Sequence, residues 1–144
     1  MRIRPARIEE REALEDLQRR ASLAIGTYNA QLEAHPDAIQ LPTMQIALGE
    51  VLVAEVAGEI GGFAVLVDKG SSAELDGLFV EPARWRQGLG GALVKEAVHV
   101  ARNRGLSLVT VVAEPGAREF YEKCGFVVEG EAETRFGPAL RMSR

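Results

Sequence analysis

The stretch Leu78–Leu93 reads LFVEPARWRQGLGGAL, an apolar run, a proline, a glycine cluster and a second apolar run. Its first part belongs to AELDGLFV (Ala73–Val80), which reads as a strand ended by Pro82, a residue with no N–H to give a sheet. From Gly88 to Arg104, Leu89, Leu93, Ala97 and Val100 mark the inward stripe of a helix closed by Gly105. The three glycines within Trp85–Gly91 therefore stand between a strand end and a helix start. The first turn of a helix has N–H groups without intrahelical partners and a partial positive charge. Glycines let an anion approach those donors, because no Cβ stands in the way. A phosphate or pyrophosphate is the predicted ligand of Gln87–Gly91, with Arg84 and Arg86 adding charge at the rim. A glycine-rich turn followed by an ordinary cap accounts for the same residues.

Working outward, Met1–Arg4 reads as a short strand, and Leu14, Leu17, Ala21, Ala24 and Ile25 recur at helical spacing up to a stop around Gly26 and Asn29. A second short helix is expected near Ala30–Glu33, interrupted by Pro36 and Pro42. VLVAEV (Val51–Val56), a turn at Ala57–Gly58–Glu59 and IGGFAVLV (Ile60–Val67) form an expected antiparallel hairpin. SLVTVV (Ser107–Val112) reads as a central strand covered on both faces, and Pro115 opens a short helix to about Cys124. Phe126–Gly130 and Ala139–Met142 supply two last strands, joined by a loop through Gly137–Pro138. Meandering strands followed by a strand–helix–strand crossover predict one mixed α/β (α+β) domain over residues 1–144. Its central sheet is mixed but mostly antiparallel, with about six to seven strands and about four helices on its faces.

Composition narrows the function classes. At 144 residues the chain is long enough for one core. The net charge of −4 disfavours nucleic acid or an anionic membrane as partner. The single cysteine, Cys124, excludes an intramolecular disulfide and a cysteine-rich zinc site, and the two histidines, His35 and His99, are too far apart in sequence to read as a metal cluster. No signal-peptide pattern or membrane-length apolar run occurs, so a cytoplasmic protein is expected. The glycine loop lacks the GxxxxGK[ST] of nucleotide triphosphatases, and a dinucleotide fingerprint fails because Leu93 stands at its third glycine.

LFVEPARWRQGLGGAL resembles the acyl-CoA binding motif of the GNAT superfamily of N-acyltransferases, Arg/Gln-x-x-Gly-x-Gly/Ala after a strand and a proline. Gly88 and Gly90 take its two small positions, Gly91 is an extra glycine, and Trp85 stands where the motif has Arg or Gln. AREFYEKCGF (Ala117–Phe126) is similar to the second landmark of that superfamily, an alanine, an aromatic–Tyr pair and Gly-Phe. The resemblance implies a GNAT fold whose central parallel strands splay apart. It also implies an acetyl-CoA co-substrate, no metal, and transfer of the acetyl group to a primary amine of a small molecule or peptide by direct attack in a ternary complex. A homodimer is compatible with it. Cofactor contacts are implied for Leu78, Phe79 and Val80 along the strand and for Arg84, Trp85, Arg86, Gln87, Gly88, Leu89, Gly90 and Gly91 in the loop. Glu114, Ala117 and Phe120 are implied beyond the crossover, Glu114 standing where many relatives carry asparagine.

Tyr121 matches the tyrosine that protonates the departing thiolate in similar proteins, with Phe120 beside it expected in the core. A backbone N–H near Val80 would meet the carbonyl oxygen. For the base, Glu74 resembles a glutamate used by some relatives, Asp76 shares its strand face, and ordered water is the third option. An acidic pair on a solvent-facing strand is an ordinary surface feature too. Tyr28 and His35 are the expected acceptor-binding residues. The alternative activity is a non-catalytic acyl-CoA binding or sensing protein, which would keep Gly88 and Gly90 without needing Tyr121.

Overall fold

A computed structural model describes all 144 residues. Seven strands form one sheet in the order β1-β2-β3-β4-β5-β7-β6. The strands are β1 (Arg2–Pro5), β2 (Val51–Val56), β3 (Glu59–Asp68), β4 (Ala73–Val80), β5 (Val109–Ala113), β6 (Val127–Thr134) and β7 (Gly137–Ser143). The helices are α1 (Arg11–Ile25), α2 (Asn29–Ala34), α3 (Thr43–Ala47), α4 (Leu89–Asn103) and α5 (Arg118–Lys123). Only β4 and β5 pair in parallel; every other neighbour is antiparallel. None of the helices is long and apolar enough to cross a membrane.

Two cores form on the two faces of the sheet. The larger gathers Leu89, Leu93, Val94, Ala97, Val98 and Ala101 of α4 with Ala64, Leu66, Leu75, Val109, Val111 and Met142 of the strands, and Tyr121 and Phe126 extend it under α5. The smaller puts Leu14 and Leu17 of α1 with Ile46, Val51, Val53, Phe63 and Val65. Truncating a fully buried residue such as Leu93 to alanine removes about 2–5 kcal/mol. At the edge strand, the Arg4 guanidinium is buried and makes a two-pronged bond to Glu10, at 2.9 and 2.8 Å. That hydrogen bond holds the Glu10 carboxyl below the usual carboxylate range.

The first turn of α4 rests against a glycine. Gly61 is an extra residue in β3, since Ala54 faces Gly62 while Glu55 faces Ile60. A Cβ at Gly61 would lie 2.6 Å from Leu89 Cδ2, so a larger residue there would force the Leu89 side chain to shift.

Several expectations need correction. Asn29 opens α2 instead of ending α1, which Gly26 closes in the left-handed conformation. α3 was not expected; Pro42 caps its start. β5 is covered on one face only, because Val109, Val111 and Ala113 are buried while Val112 is 40% exposed. Gly137 and Pro138 are not a loop: they pair with Thr134 and Glu133, and the β6–β7 turn is Arg135–Phe136.

Candidate acyl-CoA and acceptor site

The parallel pair β4–β5 is joined for three residues only, Ala73–Val109, Glu74–Thr110 and Leu75–Val111. Beyond that point β5 continues against β7 and β4 continues against β3, so the two strands part. The fork coincides with a bulge. Val65 faces Gly77 and Leu66 faces Leu75, leaving Asp76 as the extra residue of β4. Past the bulge, the Glu81 N–H bonds to the Gly61 carbonyl on β3 at 2.9 Å. Alternation along the strand then turns the N–H and C=O of Leu78 and Val80 away from β3, into the gap that β5 leaves. The Val80 carbonyl accepts the Trp85 indole N–H at 2.8 Å, and its N–H remains open to a ligand.

At the open end of the fork the chain turns through a 3₁₀ segment at Pro82–Arg84 into the glycine loop. Arg86 (φ 65) and Gly88 (φ 86) both adopt left-handed backbone, and Gly88 caps α4. The first helical bond runs from the Ala92 N–H to the Gly88 carbonyl, and the N–H groups of Gln87 through Gly91 find no acceptor in the protein. Consecutive unpaired donors at a helix start form an anion cradle. No atom lies within 4 Å of where a Cβ on Gly88 or Gly91 would stand, so the cradle opens to space. Gly90 faces inward instead, its missing Cβ 3.2 Å from the Phe120 ring.

A cleft of about 570 Å³ runs from this cradle along the fork. The β4 end contributes Leu78, Phe79 and Val80, and the loop contributes Arg84, Trp85, Arg86, Gly88, Leu89, Gly90 and Gly91. Ala117, Phe120 and Tyr121 form the facing wall. Ala21 and Ile25 of α1 close the third side, a contribution missed in the sequence because the same spacing marks the core face of the helix. α1 is held there by Arg20, whose guanidinium bonds both oxygens of Glu81 at 3.0 and 2.8 Å and depresses the Glu81 pKa.

Tyr121 is 7% exposed and belongs to the larger core, and Phe120, expected in the core, is partly buried against it and is the less buried of the two. The two rings meet edge-on, as do Tyr121 and Phe126. The Tyr121 hydroxyl has no hydrogen-bond partner in the protein, and burial raises its pKa well above the ordinary tyrosine value. It therefore stays protonated across the physiological range and faces the cleft as a donor.

The acidic candidates separate. Glu74 sits where β4 and β5 are still paired, and its carboxylate takes the Lys69 ammonium at 3.4 Å. Asp76 stands on the bulge where the fork opens; it is exposed and, like Glu74, is not among the residues that line the cleft, and partial desolvation, followed by the Glu74 charge, raises its pKa from the ordinary carboxylate value. Gln87 is exposed in the loop and does not line the cleft.

Tyr28, His35 and Glu114 lie outside the cleft wall and close to one another in the fold. The Phe136 ring at the β6–β7 turn packs against Tyr28 at 5.8 Å and His35 at 6.2 Å. Glu114 Oε1 accepts the Thr27 hydroxyl at 3.3 Å and the Gly116 N–H at 3.1 Å. The Tyr28 phenol pKa is raised by burial and then by the Glu114 charge. Phe136 carried no sequence signal, since nothing near it in the chain marks a site.

Comparison with known proteins agrees with this architecture. The acetyltransferase (GNAT) family profile matches residues 12–126. An uncharacterised N-acetyltransferase of Methanocaldococcus jannaschii is 34% identical over 84 residues, which span 51% of this chain and 37% of that protein, well under half its length. A 5-NmdU N-acetyltransferase of a Pseudomonas phage is 35% identical over 94 residues, covering 64% of this chain and 67% of that protein. Among solved structures, a GCN5-related N-acetyltransferase from Rhodopseudomonas palustris superposes with TM-score 0.78 at 22% identity, covering 99% of this chain and 94% of that one. An N-acetyltransferase from Thermoplasma acidophilum, solved in complex with coenzyme A, gives TM-score 0.76 at 20% identity over 99% of this chain and 97% of that one. A profile matched over most of the chain, on a sheet forked beside an open amide cradle, places this protein in the GNAT acetyltransferase family.

Proposed function

We propose that the protein is an acetyl-CoA-dependent N-acetyltransferase that acetylates a primary amine by direct attack. The observation that carries this reading is the run of unpaired N–H groups at Gln87–Gly91, opening onto a cleft that ends at the fork of β4 and β5. The donors suit a diphosphate, and the free N–H and C=O of Leu78, with the free N–H of Val80, suit the amides of a pantetheine arm. When bound, acetyl-CoA supplies a thioester acetyl group.

The remaining work belongs to residues of this chain. An alkylammonium has a pKa of about 10.4, so freeing its nitrogen at pH 7 costs about 4.6 kcal/mol. Asp76, at the mouth of the fork and with its pKa raised, accepts that proton directly or through a water molecule. The Val80 N–H, which has no partner in the protein, donates to the carbonyl oxygen. Tyr121 donates its hydroxyl proton at the sulfur of the departing thiol. Glu74 serves less well as the base, because Lys69 occupies its carboxylate beside the closed part of the strand pair.

The test is release of free thiol from acetyl-CoA in the presence of amine, aminoglycoside, amino-acid and peptide acceptors. Acceptor-dependent thiol release supports the reading. Tight binding of acetyl-CoA with no thiol released by any acceptor would leave a binding or sensing protein.

A further inference from the structure

Trp85 is the single tryptophan of the chain, is 39% exposed and lines the cleft. Its indole carries no charge to offer a diphosphate. It carries one N–H, and that donor is bonded to the Val80 carbonyl at 2.8 Å.

Past the fork, β4 is paired on one side only, by β3. The peptide that joins Val80 to Glu81 is nonetheless held from both directions. The Glu81 N–H bonds the Gly61 carbonyl of β3 at 2.9 Å, and the indole bonds the Val80 carbonyl from the side of the gap. The first open amide of the cradle, Gln87, stands seven residues beyond Val80, a connection that would reach roughly 23–25 Å if extended. Local bonds fold it, from the Arg84 N–H to the Glu81 carbonyl at 2.8 Å and from the Trp85 N–H to the Pro82 carbonyl at 3.3 Å. The Glu81 carboxylate is tied outward to Arg20 and the Arg84 guanidinium to Glu59, and neither pair reaches the edge of β4 that faces the gap. The bond from the loop to that edge is the one made by the Trp85 indole.

Resting on the acetyl-transfer reading above, we infer that Trp85 is a positioning residue. Its bond to Val80 fixes the spacing between the amide cradle that holds the diphosphate and the strand edge where the thioester reacts. It acts through Val80 and touches no reacting atom. Reaction geometry tolerates errors of about 0.5 Å, and a misplacement of about 1 Å costs roughly 100-fold. A cofactor bound at both ends passes the grip on its diphosphate to its thioester only if the two ends of the site keep a fixed separation. A thioester without the diphosphate has no such grip to pass on.

The experiment therefore pairs a change in the protein with a change in the cofactor. Trp85→Phe keeps a ring in the cleft and removes the N–H. Thiol release is followed from acetyl-CoA and from S-acetylpantetheine, which lacks the diphosphate. With acetyl-CoA, kcat of the variant is expected to fall roughly 10- to 100-fold while KM changes little, since the cradle donors are intact. Any loss that comes from the ring itself falls on both thioesters alike. Measured as kcat/KM, the loss with acetyl-CoA should exceed the loss with S-acetylpantetheine by roughly tenfold or more, and losses equal within about twofold overturn the proposal. A second measurement needs neither turnover nor a variant. The one indole N–H gives one ¹⁵N–¹H resonance, and its exchange with water should stay as slow in the saturated coenzyme A complex as in the free protein. Exchange that speeds up in the complex shows the Val80 carbonyl released, and also overturns the proposal. The two readings fail separately. Absence of thiol release with every acceptor removes the transferase, and indole exchange then decides whether Trp85 still holds Val80 in the complex. Thiol release that falls equally for both thioesters leaves the transferase and removes the positioning role.

Discussion

Replacing Gly88 by alanine isolates the conformation of the cradle from its packing. Gly88 lies at φ 86 and ψ 7, and a Cβ there would meet no atom within 4 Å, so the added methyl clashes with nothing. The cost is conformational alone, about 1–2 kcal/mol for an L-residue held in the left-handed region. For a domain of this size that lowers Tm by roughly 3–7 °C, using an unfolding entropy of about 2.1 cal/mol/K per residue. A backbone that instead relaxes to negative φ turns the donors of Gln87–Gly91 away from a common centre. Hydrogen bonds to a charged acceptor contribute about 1.5–3 kcal/mol each, so losing two of them weakens coenzyme A binding roughly 10²- to 10⁴-fold. Thermal unfolding by circular dichroism and calorimetric titration with coenzyme A read the two effects. Gly91→Ala is the control, because Gly91 has neither positive φ nor a crowded Cβ, and its Tm should hold or rise. If Gly88→Ala keeps both the wild-type Tm and the wild-type coenzyme A affinity, the reasoning about this loop is wrong.

Tyr121→Phe deletes a hydroxyl that has no partner in the protein, so it should leave stability within about 1 kcal/mol and coenzyme A binding intact. Its turnover, measured by thiol release, should fall roughly 10²-fold or more. For Asp76→Asn, the acid limb of kcat/KM, which lies above the ordinary carboxylate value in the wild type, should disappear along with most of the rate. The stability effect has a fixed sign. The folded-state pKa of Asp76 is raised, so its stabilising contribution is full below the unfolded pKa and is lost as pH rises through the folded value. Asp76→Asn should therefore gain stability relative to wild type as pH increases through the carboxylate range, and denaturant titrations at several pH values check it. Arg4→Ala leaves the part-buried Glu10 carboxylate with the Arg7 N–H as its remaining partner and should cost about 1–3 kcal/mol in a urea titration, with no direct effect on the cleft.

The parts of this fold that periodicity carries were legible. β4 spans Ala73–Val80 as read, and the buried face of α4 follows its apolar spacing from the Gly88 cap onward. The glycine loop was legible because its density exceeds what a turn needs. The fork was implied by the family resemblance but not by periodicity, since the separation of the strands is set by pairing partners: β5 turns to β7 where β4 stays with β3. The Asp76 bulge was hidden for a similar reason, as an extra residue is visible only against the strand it faces. Glu74 therefore came ahead of Asp76 as the expected base, on the resemblance alone, although Glu74 sits at the closed end of the strand pair and Asp76 at its opening. Phe136 was read as part of a loop, and its contacts with Tyr28 and His35 join residues about a hundred positions apart, a separation that local pattern does not encode. Prolines misled in both directions, since Pro42 begins a helix and Pro138 lies within a strand pair.

The central claim is that the amides at the start of α4 grip a diphosphate. Backbone ¹⁵N–¹H spectra recorded during titration with coenzyme A, and in parallel with pantetheine, which carries no diphosphate, test it most directly. Large saturating shifts of the Gln87–Gly91 amides with coenzyme A and none with pantetheine are the expected result. Saturated binding of coenzyme A that leaves those five amides unmoved would contradict the account.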